Sequence, residues 1–344
     1  MKILVAMSGG VDSSVAAALL QQRGHEAVGV TLKLWGGPAD RGCCSISDVD
    51  DARRVADRLG IDHHVFNYSE DFEADVVAPY VAAHAAGLTP NPCVACNRHL
   101  KFDRLVARAR LLGFDGVATG HHARLVAPAG QTPRLARGAD PAKDQSYVLY
   151  MLDAATLAFV QFPVGDYSKT EVRQLAHDLG LRTADKPDSQ DVCFISSTGG
   201  RAAFLGDRLA FTPGKVVDTD GSTVGAVDAV ELVTIGQRRG LGLAGGAEPR
   251  YVIATDPVAA TVTVGRPVDL ATDRVELTDL RWAQGAPDGA VSAQCSAHGE
   301  PKPGRFHHGV LYWATRQRRV APGQAVVLYN GDEVLGGGIA AAPR

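Results

Sequence analysis

A strand-to-helix turn at the start of the chain constrains the fold more than any other stretch. Residues 2–7 form a short apolar run that predicts a buried strand, and the chain then breaks into Ser-Gly-Gly-Val-Asp-Ser-Ser at residues 8–14. Apolar residues recur at helical spacing from Val11 onward, and Gly24 ends the predicted helix. Glycine lets a backbone approach a ligand closely, and the first amides of a helix lack internal partners. The turn therefore predicts an anion site, most naturally for a phosphate.

The loop differs from the P-loop of many nucleotide-binding proteins, because no Gly-Lys-Ser/Thr follows it. It resembles the pyrophosphate loop, Ser-Gly-Gly-x-Asp-Ser, of the ATP pyrophosphatase superfamily. That resemblance implies cleavage of ATP to AMP and pyrophosphate, with the adenylate activating a carbonyl oxygen. The alternative is a glycine-rich turn that binds nothing, which the match directly after a strand disfavours. The loop indicates the nucleotide chemistry but not the substrate.

Composition is that of an ordinary globular protein. With 344 residues, of which 45% are hydrophobic and 21% charged, the chain is long enough for two or three domains. No apolar run approaches the roughly 20 residues of a membrane span, and the first strand is too short for a signal peptide, so we expect a cytoplasmic protein without membrane contact. The net charge of −3 argues against a general attraction to nucleic acid, although basic residues cluster locally.

The order of predicted elements indicates an α/β domain followed by two small β domains. Up to about residue 122, strands and helices alternate, which predicts a doubly wound parallel sheet with ligands at the carboxyl ends of its strands. The loop at Ser8 and residues 119–122 both fall at such ends, so we expect them to be neighbours. A projecting hairpin is predicted over 123–138, and Ser168 and Glu171 form a capping box that starts a helix.

Beyond about residue 205 the pattern changes to short β-type segments without helices, which indicates small barrels or a sandwich. We predict domains over 1–205, 206–267 and 268–344. The predicted strands of the second and third domains lie at 215–217, 230–235, 251–254, 261–264, 274–280, 309–313 and 325–329.

Two cysteine motifs carry the remaining chemistry. Residues 91–97, Asn-Pro-Cys-Val-Ala-Cys-Asn, are predicted to form a loop directly before a helix, where a thiol favours its thiolate form. Residues 188–195 are predicted to form a polar turn that delivers Cys193 into an apolar strand. Cys193 alone could be a core residue, and Cys93-x-x-Cys96 alone could be half of a zinc site whose second pair is missing. The remaining cysteines, which we interpret as structural or incidental, are Cys43, Cys44 and Cys295.

With a pyrophosphate loop and two cysteine motifs in one chain, the sequence resembles the tRNA-specific 2-thiouridylases, which put sulfur at C2 of the wobble uridine. The match runs nearly end to end. It covers residues 7–14, 89–92, 96–97, 101–102, 118–121, 143–147, 162–165, 193–195, 236–242, 322–324 and 329–331.

The resemblance implies roles for the residues at the family's functional positions. Cys193 would carry a persulfide, received from a persulfide or sulfide donor protein, and Cys96 would act as the second thiol, with a Cys96–Cys193 disulfide as an end state. ATP, with Mg²⁺, would be held by Ala6, Met7, Ser8, Gly9, Gly10, Val11, Asp12, Ser13, Leu32 and Gly120. The tRNA would be contacted by Asn91, Pro92, Cys93, His121, Lys143, Asp144, Gln145, Ala297, His298 and Gln324.

The sequence departs from the family pattern in three respects. Many members have aspartate in place of Cys93 and methionine in place of Leu32, and neither Ala297 nor His298 matches the basic-aromatic contact expected near the end of the chain. Because Cys93, Cys96 and Cys193 make three thiols, an iron–sulfur cluster with one iron left to bind sulfide is a second possible route. The sequence is also compatible with a pyrophosphate-loop ligase or amidating enzyme, which needs no paired cysteines, and with a non-catalytic metal- or RNA-binding module.

Overall fold

A parallel sheet with helices on both faces organises the first part of the chain. The computed structural model describes residues 1–34, 46–127, 132–188, 192–196, 199–243 and 248–342, so Cys43 and Cys44 lie outside the described residues. In chain order, the strands of this part are β1 (Lys2–Ala6), β2 (Glu26–Lys33), β3 (His63–Asn67), β4 (Gly116–Thr119), β5 (Ala123–Val126), β6 (Arg134–Arg137) and β7 (Val160–Gln161). The sheet has the order β3-β2-β1-β4-β7, and every pairing in it is parallel.

The apolar run at the start of the chain is the central strand of this sheet. Leu4 packs into the core on one face of β1, whereas Ile3 and Val5 pack into the core on the other face. A strand that is buried on both faces has no polar side to show, which explains why the sequence here is continuously apolar rather than alternating. The predicted doubly wound parallel sheet is confirmed.

The helices follow the predicted alternation, with two differences in detail. They are α1 (Val11–Gln22), α2 (Ile46–Leu59), α3 (Ser69–Phe72), α4 (Ala78–Ala85), α5 (Pro92–Ala95), α6 (Leu105–Leu111), α7 (Ala154–Leu157), α8 (Lys169–Asp178), α9 (Cys193–Ser196) and α10 (Arg201–Gly206). Wider π-helical turns over Glu73–Val77 and Cys96–Arg104 join α3 to α4 and α5 to α6. The capping box of Ser168 and Glu171 starts α8 as predicted.

The two differences concern the cysteine motifs. The helix predicted to start after Cys96 starts at Pro92, because Asn91 caps it by accepting a hydrogen bond from the Cys93 amide and proline suits the first helical position. The predicted strand at Cys193 is wrong. Residues 193–196 form a helical turn, which buries the adjacent side chains of Phe194 and Ile195 in the same core.

Two further sheets follow the first part of the chain. Their strands are β8 (Gly214–Val217), β9 (Thr223–Val227), β10 (Tyr251–Asp256), β11 (Thr261–Gly265), β12 (Ala271–Trp282), β13 (Gly289–Gln294), β14 (Lys302–His307), β15 (Val310–Arg318), β16 (Ala325–Asn330) and β17 (Glu333–Ala340). Strands β8 to β11 form a four-stranded sheet, and β12 to β17 close into a barrel through the pairing of β12 with β17. The strand predicted over 230–235 is wrong, because Val230–Leu232 form a 3₁₀ turn that buries Val230 and Glu231.

The predicted hairpin is confirmed as β5 and β6. It pairs with the barrel strands rather than with the first sheet. Strand β6 pairs with β17 at Ala136 and Glu333. Two ion pairs hold this junction, from Arg124 to Asp332 at 3.1 Å and from Arg134 to Glu333 at 3.0 Å. The barrel is therefore fixed to the first part of the chain. Within the described ranges, no helix is long and apolar enough to cross a membrane.

Candidate active site

The loop between β1 and α1 is held by its own hydroxyl groups. Ser13 Oγ accepts a hydrogen bond from the Ser8 amide at 3.2 Å and donates one to the Gly10 carbonyl at 3.1 Å, while Ser14 Oγ donates to the same carbonyl at 2.8 Å. Gly9 has a φ of +72°, and a Cβ there would lie 2.3 Å from the carbonyl oxygen of Asp48. Only glycine fits both the backbone conformation and the space.

Lys186, which the sequence analysis did not identify, fixes this loop through hydrogen bonds. Lys186 Nζ donates to the Gly9 carbonyl at 3.0 Å, to Asp48 at 2.7 Å and to Asp51 at 2.8 Å. Burial would lower the pKa of Lys186, but the two carboxylates outweigh it and raise that pKa. The amine therefore stays charged and fixes the loop at the Gly9 carbonyl.

The end of β4 meets the start of α1, as predicted from the order of the elements. A Cβ on Gly120 would lie 2.5 Å from the Ser13 amide nitrogen and 2.7 Å from the carbonyl carbon of Asp12. The two segments are thus in backbone contact across the carboxyl edge of the sheet, where open α/β sheets bind ligands.

A cleft opens at this edge. Counted together with the solvent at its mouth, it encloses about 940 Å³ of empty space. Its apolar wall comes from Ala6, Val30, Leu32 and Leu34, and its polar end from the loop and the first turn of α1. The candidate nucleotide residues that line it are Ala6, Met7, Ser8, Gly10, Val11, Asp12, Ser13, Leu32 and Gly120. Gly9 is placed behind this lining, against Asp48.

A network of charges lies at the polar end of the cleft. Lys169 Nζ contacts both carboxylate oxygens of Asp12 at 2.7 Å and Asp188 at 3.0 Å. Asp188 also accepts hydrogen bonds from Lys143 at 2.8 Å and from Arg173 at 2.6 Å. Lys169 and Asp188 line the cleft but were not predicted as site residues. The available signal was weak, since Lys169 stands out only as the first residue of a well-capped helix.

These contacts shift the pKa values of the acids. Burial would raise the pKa of Asp12, but hydrogen bonds from His122 Nε2, at 3.1 Å, and from Lys169 lower it overall. Asp188 follows the same pattern: burial acts to raise its pKa, and Lys143 and Lys169 lower it strongly. Both carboxylates are therefore ionised at neutral pH.

His121 is a buried, neutral imidazole on the wall of the cleft. Its ring packs against the rings of Phe102 and Phe162, with centroids 5.9 Å and 6.1 Å away, and its Nδ1 is 2.7 Å from Thr119 Oγ1. Burial, with a smaller effect from Lys101, lowers its pKa well below the ordinary value. This predicted tRNA residue shares the cleft with the predicted nucleotide residues.

A second pocket, which we call the thiol pocket, gathers predicted tRNA residues from distant parts of the sequence. It is lined by Tyr80, Pro90, Asn91, Pro92, Cys93, Val148, Val192, Ile195, Arg201, Ala297 and Gln324. Gln324 Nε2 donates to the Thr89 carbonyl at 2.5 Å, which joins the barrel to the Asn91 segment. Val192 and Ile195 bring the Cys193 turn to the same place.

Cys96 and Cys193 are both half-buried and pack against the core that extends beneath the thiol pocket. The cysteines of the described ranges, Cys93, Cys96, Cys193 and Cys295, form no disulfide with one another. In the same ranges, no three or more His, Cys, Asp or Glu side chains are placed to hold a metal ion. The three-cysteine ligand set that an iron–sulfur cluster would need is therefore not assembled among these residues.

The remaining predicted tRNA residues are divided between the cleft, the interior and the surface. Gln145 lines the cleft, whereas Val148, on the 3₁₀ turn Ser146–Leu149 that follows it, lines the thiol pocket. Three residues of 3₁₀ helix rise about 6 Å, so one short turn connects a lining residue of the cleft to a lining residue of the thiol pocket. Asp144 faces inward and accepts hydrogen bonds from Arg137 at 2.8 Å and Ser146 Oγ at 2.9 Å. His298 is exposed.

The chain matches family models over nearly its whole length. Residues 1–197 match the family model described as the tRNA methyl transferase HUP domain, residues 202–266 match its PRC-barrel domain, and residues 272–340 match the aminomethyltransferase beta-barrel domain. A solved 4-thiouridine synthetase in complex with RNA and ATP is 19% identical, with a TM-score of 0.37, over 59% of this chain and 46% of that chain.

Relatives that match end to end give the family. The tRNA-specific 2-thiouridylase MnmA of Chloroflexus aggregans is 45% identical over 355 residues, covering 99% of this chain and 99% of the relative. The protein of the same name from Mycobacteroides abscessus is 48% identical over 361 residues, covering 98% and 99%. The chain belongs to the tRNA-specific 2-thiouridylase family.

Proposed function

We propose that this protein is an ATP-dependent sulfurtransferase that replaces the C2 oxygen of the wobble uridine in tRNA with sulfur. The observation that carries the proposal is the pairing of two pockets across one 3₁₀ turn, one built on the pyrophosphate loop and the other lined by Cys93 and by Val192 and Ile195, on either side of Cys193. Family membership supports the same function. A ligase or an amidating enzyme would use the cleft but has no need for the thiol pocket.

ATP binds in the cleft, with its base against the apolar wall and its phosphates at the first amides of α1. Those amides and the helix dipole favour an anion. Mg²⁺ comes with the triphosphate, because magnesium takes phosphate oxygens and water in preference to an all-protein cage. The uridine C2 oxygen attacks the α-phosphorus, pyrophosphate leaves, and AMP becomes the leaving group at C2.

Sulfur arrives as a persulfide on Cys193, supplied by a persulfide or sulfide donor protein. The Cys96 thiolate attacks the inner sulfur of that persulfide and releases hydrosulfide, which adds to C2 while AMP departs with the C2 oxygen. A Cys96–Cys193 disulfide remains, and an external thiol must reduce it before the next turnover. Two cysteines complete this route, and it requires no metal cluster.

The tRNA reaches both pockets through its wobble nucleotide. The base must leave the stack of the anticodon loop, because its C2 atom is otherwise inaccessible. Asn91, Pro92 and Cys93 line the thiol pocket where the flipped base enters, and Ala297 and Gln324 contact the same nucleotide from the barrel side. His121 and Gln145 face the adenylate. Asp144 acts indirectly, by fixing the backbone between Lys143 and Gln145.

The test is mass spectrometry of wobble nucleosides after incubation of unmodified tRNA with the protein, ATP and a persulfide donor. We expect 2-thiouridine, with one AMP and one pyrophosphate released for each sulfur incorporated. ATP cleavage without thiolated product would favour a ligase or an amidating enzyme. Anaerobic incubation with iron and sulfide should give no stoichiometric iron, and iron uptake that depends on Cys93 would reinstate the cluster route.

A further inference from the structure

A buried glutamine joins the hairpin of β5 and β6 to the barrel beside the thiol pocket. Gln294 ends β13 and is only 3% exposed. Its Oε1 accepts a hydrogen bond from Arg137 at 2.9 Å, and its Nε2 donates to the carbonyls of Ser296 at 2.9 Å and Ala297 at 3.0 Å. Arginine only donates and a carbonyl only accepts, so these partners fix the orientation of the amide. A carboxylate lacks the two donors, and an apolar side chain lacks the acceptor as well.

The two carbonyls belong to a turn in the wall of the thiol pocket. The Gly299 amide donates to the Ser296 carbonyl at 3.0 Å and closes the turn over residues 296–299. Ala297 lines the thiol pocket, and His298 beside it is exposed. The turn lies between the end of β13 and the start of β14, outside the strand ladder. The Gln294 amide therefore supplies contacts that strand pairing does not.

The other side of Gln294 leads to the cleft. Arg137, which ends β6, also donates to Asp144 at 2.8 Å and lies over the ring of Tyr329, 3.7 Å from its centroid. Both partners of this ion pair are largely shielded from solvent, where charge-assisted hydrogen bonds are strong. Asp144 directly precedes Gln145, which lines the cleft. A series of contacts thus runs from the cleft through Asp144, Arg137 and Gln294 to the thiol pocket.

We propose that Gln294 is a positioning residue, which holds residues 296–299 where they meet the wobble nucleotide. The proposal rests on the proposed function, in which Ala297 contacts that nucleotide. Within the described ranges, the lining of neither pocket includes Gln294, so it acts through the turn. A segment that must be ordered when its ligand binds reduces the affinity, and a turn fixed in advance avoids that cost.

Steady-state thiolation by the full-length protein, with tRNA as the varied substrate, tests the proposal. Gln294→Met keeps the length of the side chain and removes all three hydrogen bonds, so we expect the KM for tRNA to rise by about tenfold. Because the lost contacts serve binding, kcat and the calorimetric Kd for ATP should stay within about twofold of wild type. Gln294→Glu keeps an acceptor for Arg137 but presents no donor to the two carbonyls, and it should raise the KM as much as Gln294→Met does.

Arg134→Gln is the matched control. It removes the ion pair from Arg134 to Glu333, which joins the same hairpin to the barrel at the other end of β6. This variant should lose stability in thermal unfolding and keep the wild-type KM for tRNA.

A wild-type KM in Gln294→Met would overturn the proposal. So would a wild-type KM in Gln294→Glu, since it would mean that Gln294 serves only to pair Arg137. An equal rise in Arg134→Gln would do the same, because any loosening of the junction would then suffice. If the Gln294 variants do not fold, hydrogen exchange of the wild type decides: bound tRNA should slow exchange at residues 296–299, and unchanged exchange would refute the proposal. A wild-type protein that neither binds nor thiolates tRNA would instead refute the proposed function.

Discussion

Replacing Gly120 with alanine should disable the cleft without unfolding the protein. The backbone of Gly120 is open to alanine, since its φ is not positive, but the added Cβ would lie 2.5 Å from the Ser13 amide nitrogen. Ordinary van der Waals contact begins at 3.4 Å, so the end of β4 and the start of α1 must separate by roughly 0.9 Å. Neither neighbour is a flexible side chain, and both segments line the cleft.

The size of the effect follows from that displacement. Misplacing reacting groups by about 1 Å can cost about a hundredfold in rate, and overpacking a core costs about 1–3 kcal/mol of stability. We therefore expect tRNA-dependent pyrophosphate release to fall by about a hundredfold, while thermal unfolding remains cooperative and shifts only modestly.

Gly304→Ala is a matched control for this experiment. A Cβ on Gly304 would lie 2.6 Å from the carbonyl oxygen of Tyr312, so the clash is similar in kind, but it falls between two strands of the barrel. This variant should lose comparable stability and keep its rate of pyrophosphate release. A Gly120→Ala protein that releases pyrophosphate at the wild-type rate, or a Gly304→Ala protein that is equally impaired, would refute the reasoning.

Three further predictions concern the thiols, the acid at the loop and the RNA. Cys96→Ser and Cys193→Ser should each abolish thiolation, measured by product analysis, and leave ATP binding intact, measured by calorimetry. If either variant forms product at a near wild-type rate, the cysteine it replaces takes no part in the mechanism. The pKa of Asp12 is lower in the folded protein than in the unfolded chain, where it is about 3.9. The ionised carboxylate therefore stabilises the fold at pH values above about 3.9, and this stabilisation is lost as the pH falls through the folded-state pKa. Melting temperatures from pH 6 to pH 3 should therefore fall more steeply for wild type than for Asp12→Asn, and parallel curves would contradict the assignment. The logarithm of tRNA affinity should fall linearly with the logarithm of salt concentration, with a slope of about 0.7 to 0.9 per phosphate contact. Replacing the exposed Arg238 with Gln should make that slope shallower. An affinity that does not depend on salt would contradict the prediction.

The sequence predicted those features that depend on local pattern. The buried strand at residues 2–7, the loop after it and the capping box at Ser168 each carry their signal within a few residues. The proximity of Gly120 to Ser13 was also predictable, because parallel strands bring their carboxyl ends to one edge.

Contacts between distant segments were not predictable in the same way. Lys186 reaches Gly9, 177 positions earlier in the chain, and no local pattern marks either residue for the other. The Cys193 turn was assigned as a strand because short apolar runs do not distinguish strand from helix. Asp144 matched the family motif, yet only the fold reveals that Arg137 and Ser146 occupy its carboxylate.

The separation of the two pockets imposes an order on the proposed reaction. Among the described residues, the lining of the cleft includes neither Cys96 nor Cys193, so neither thiol faces the site that we propose for the phosphates. A thiolate beside an activated phosphate would itself be a nucleophile, and ATP would be consumed without modified tRNA. Because Gln145 and Val148 line different pockets from the two ends of one 3₁₀ turn, a substrate that meets both pockets must extend across that turn. A flipped uridine, fixed through its ribose and presenting C2 between the pockets, meets that requirement. In the proposed reaction, sulfur transfer therefore waits for the base, and the base is also what makes cleavage of ATP productive.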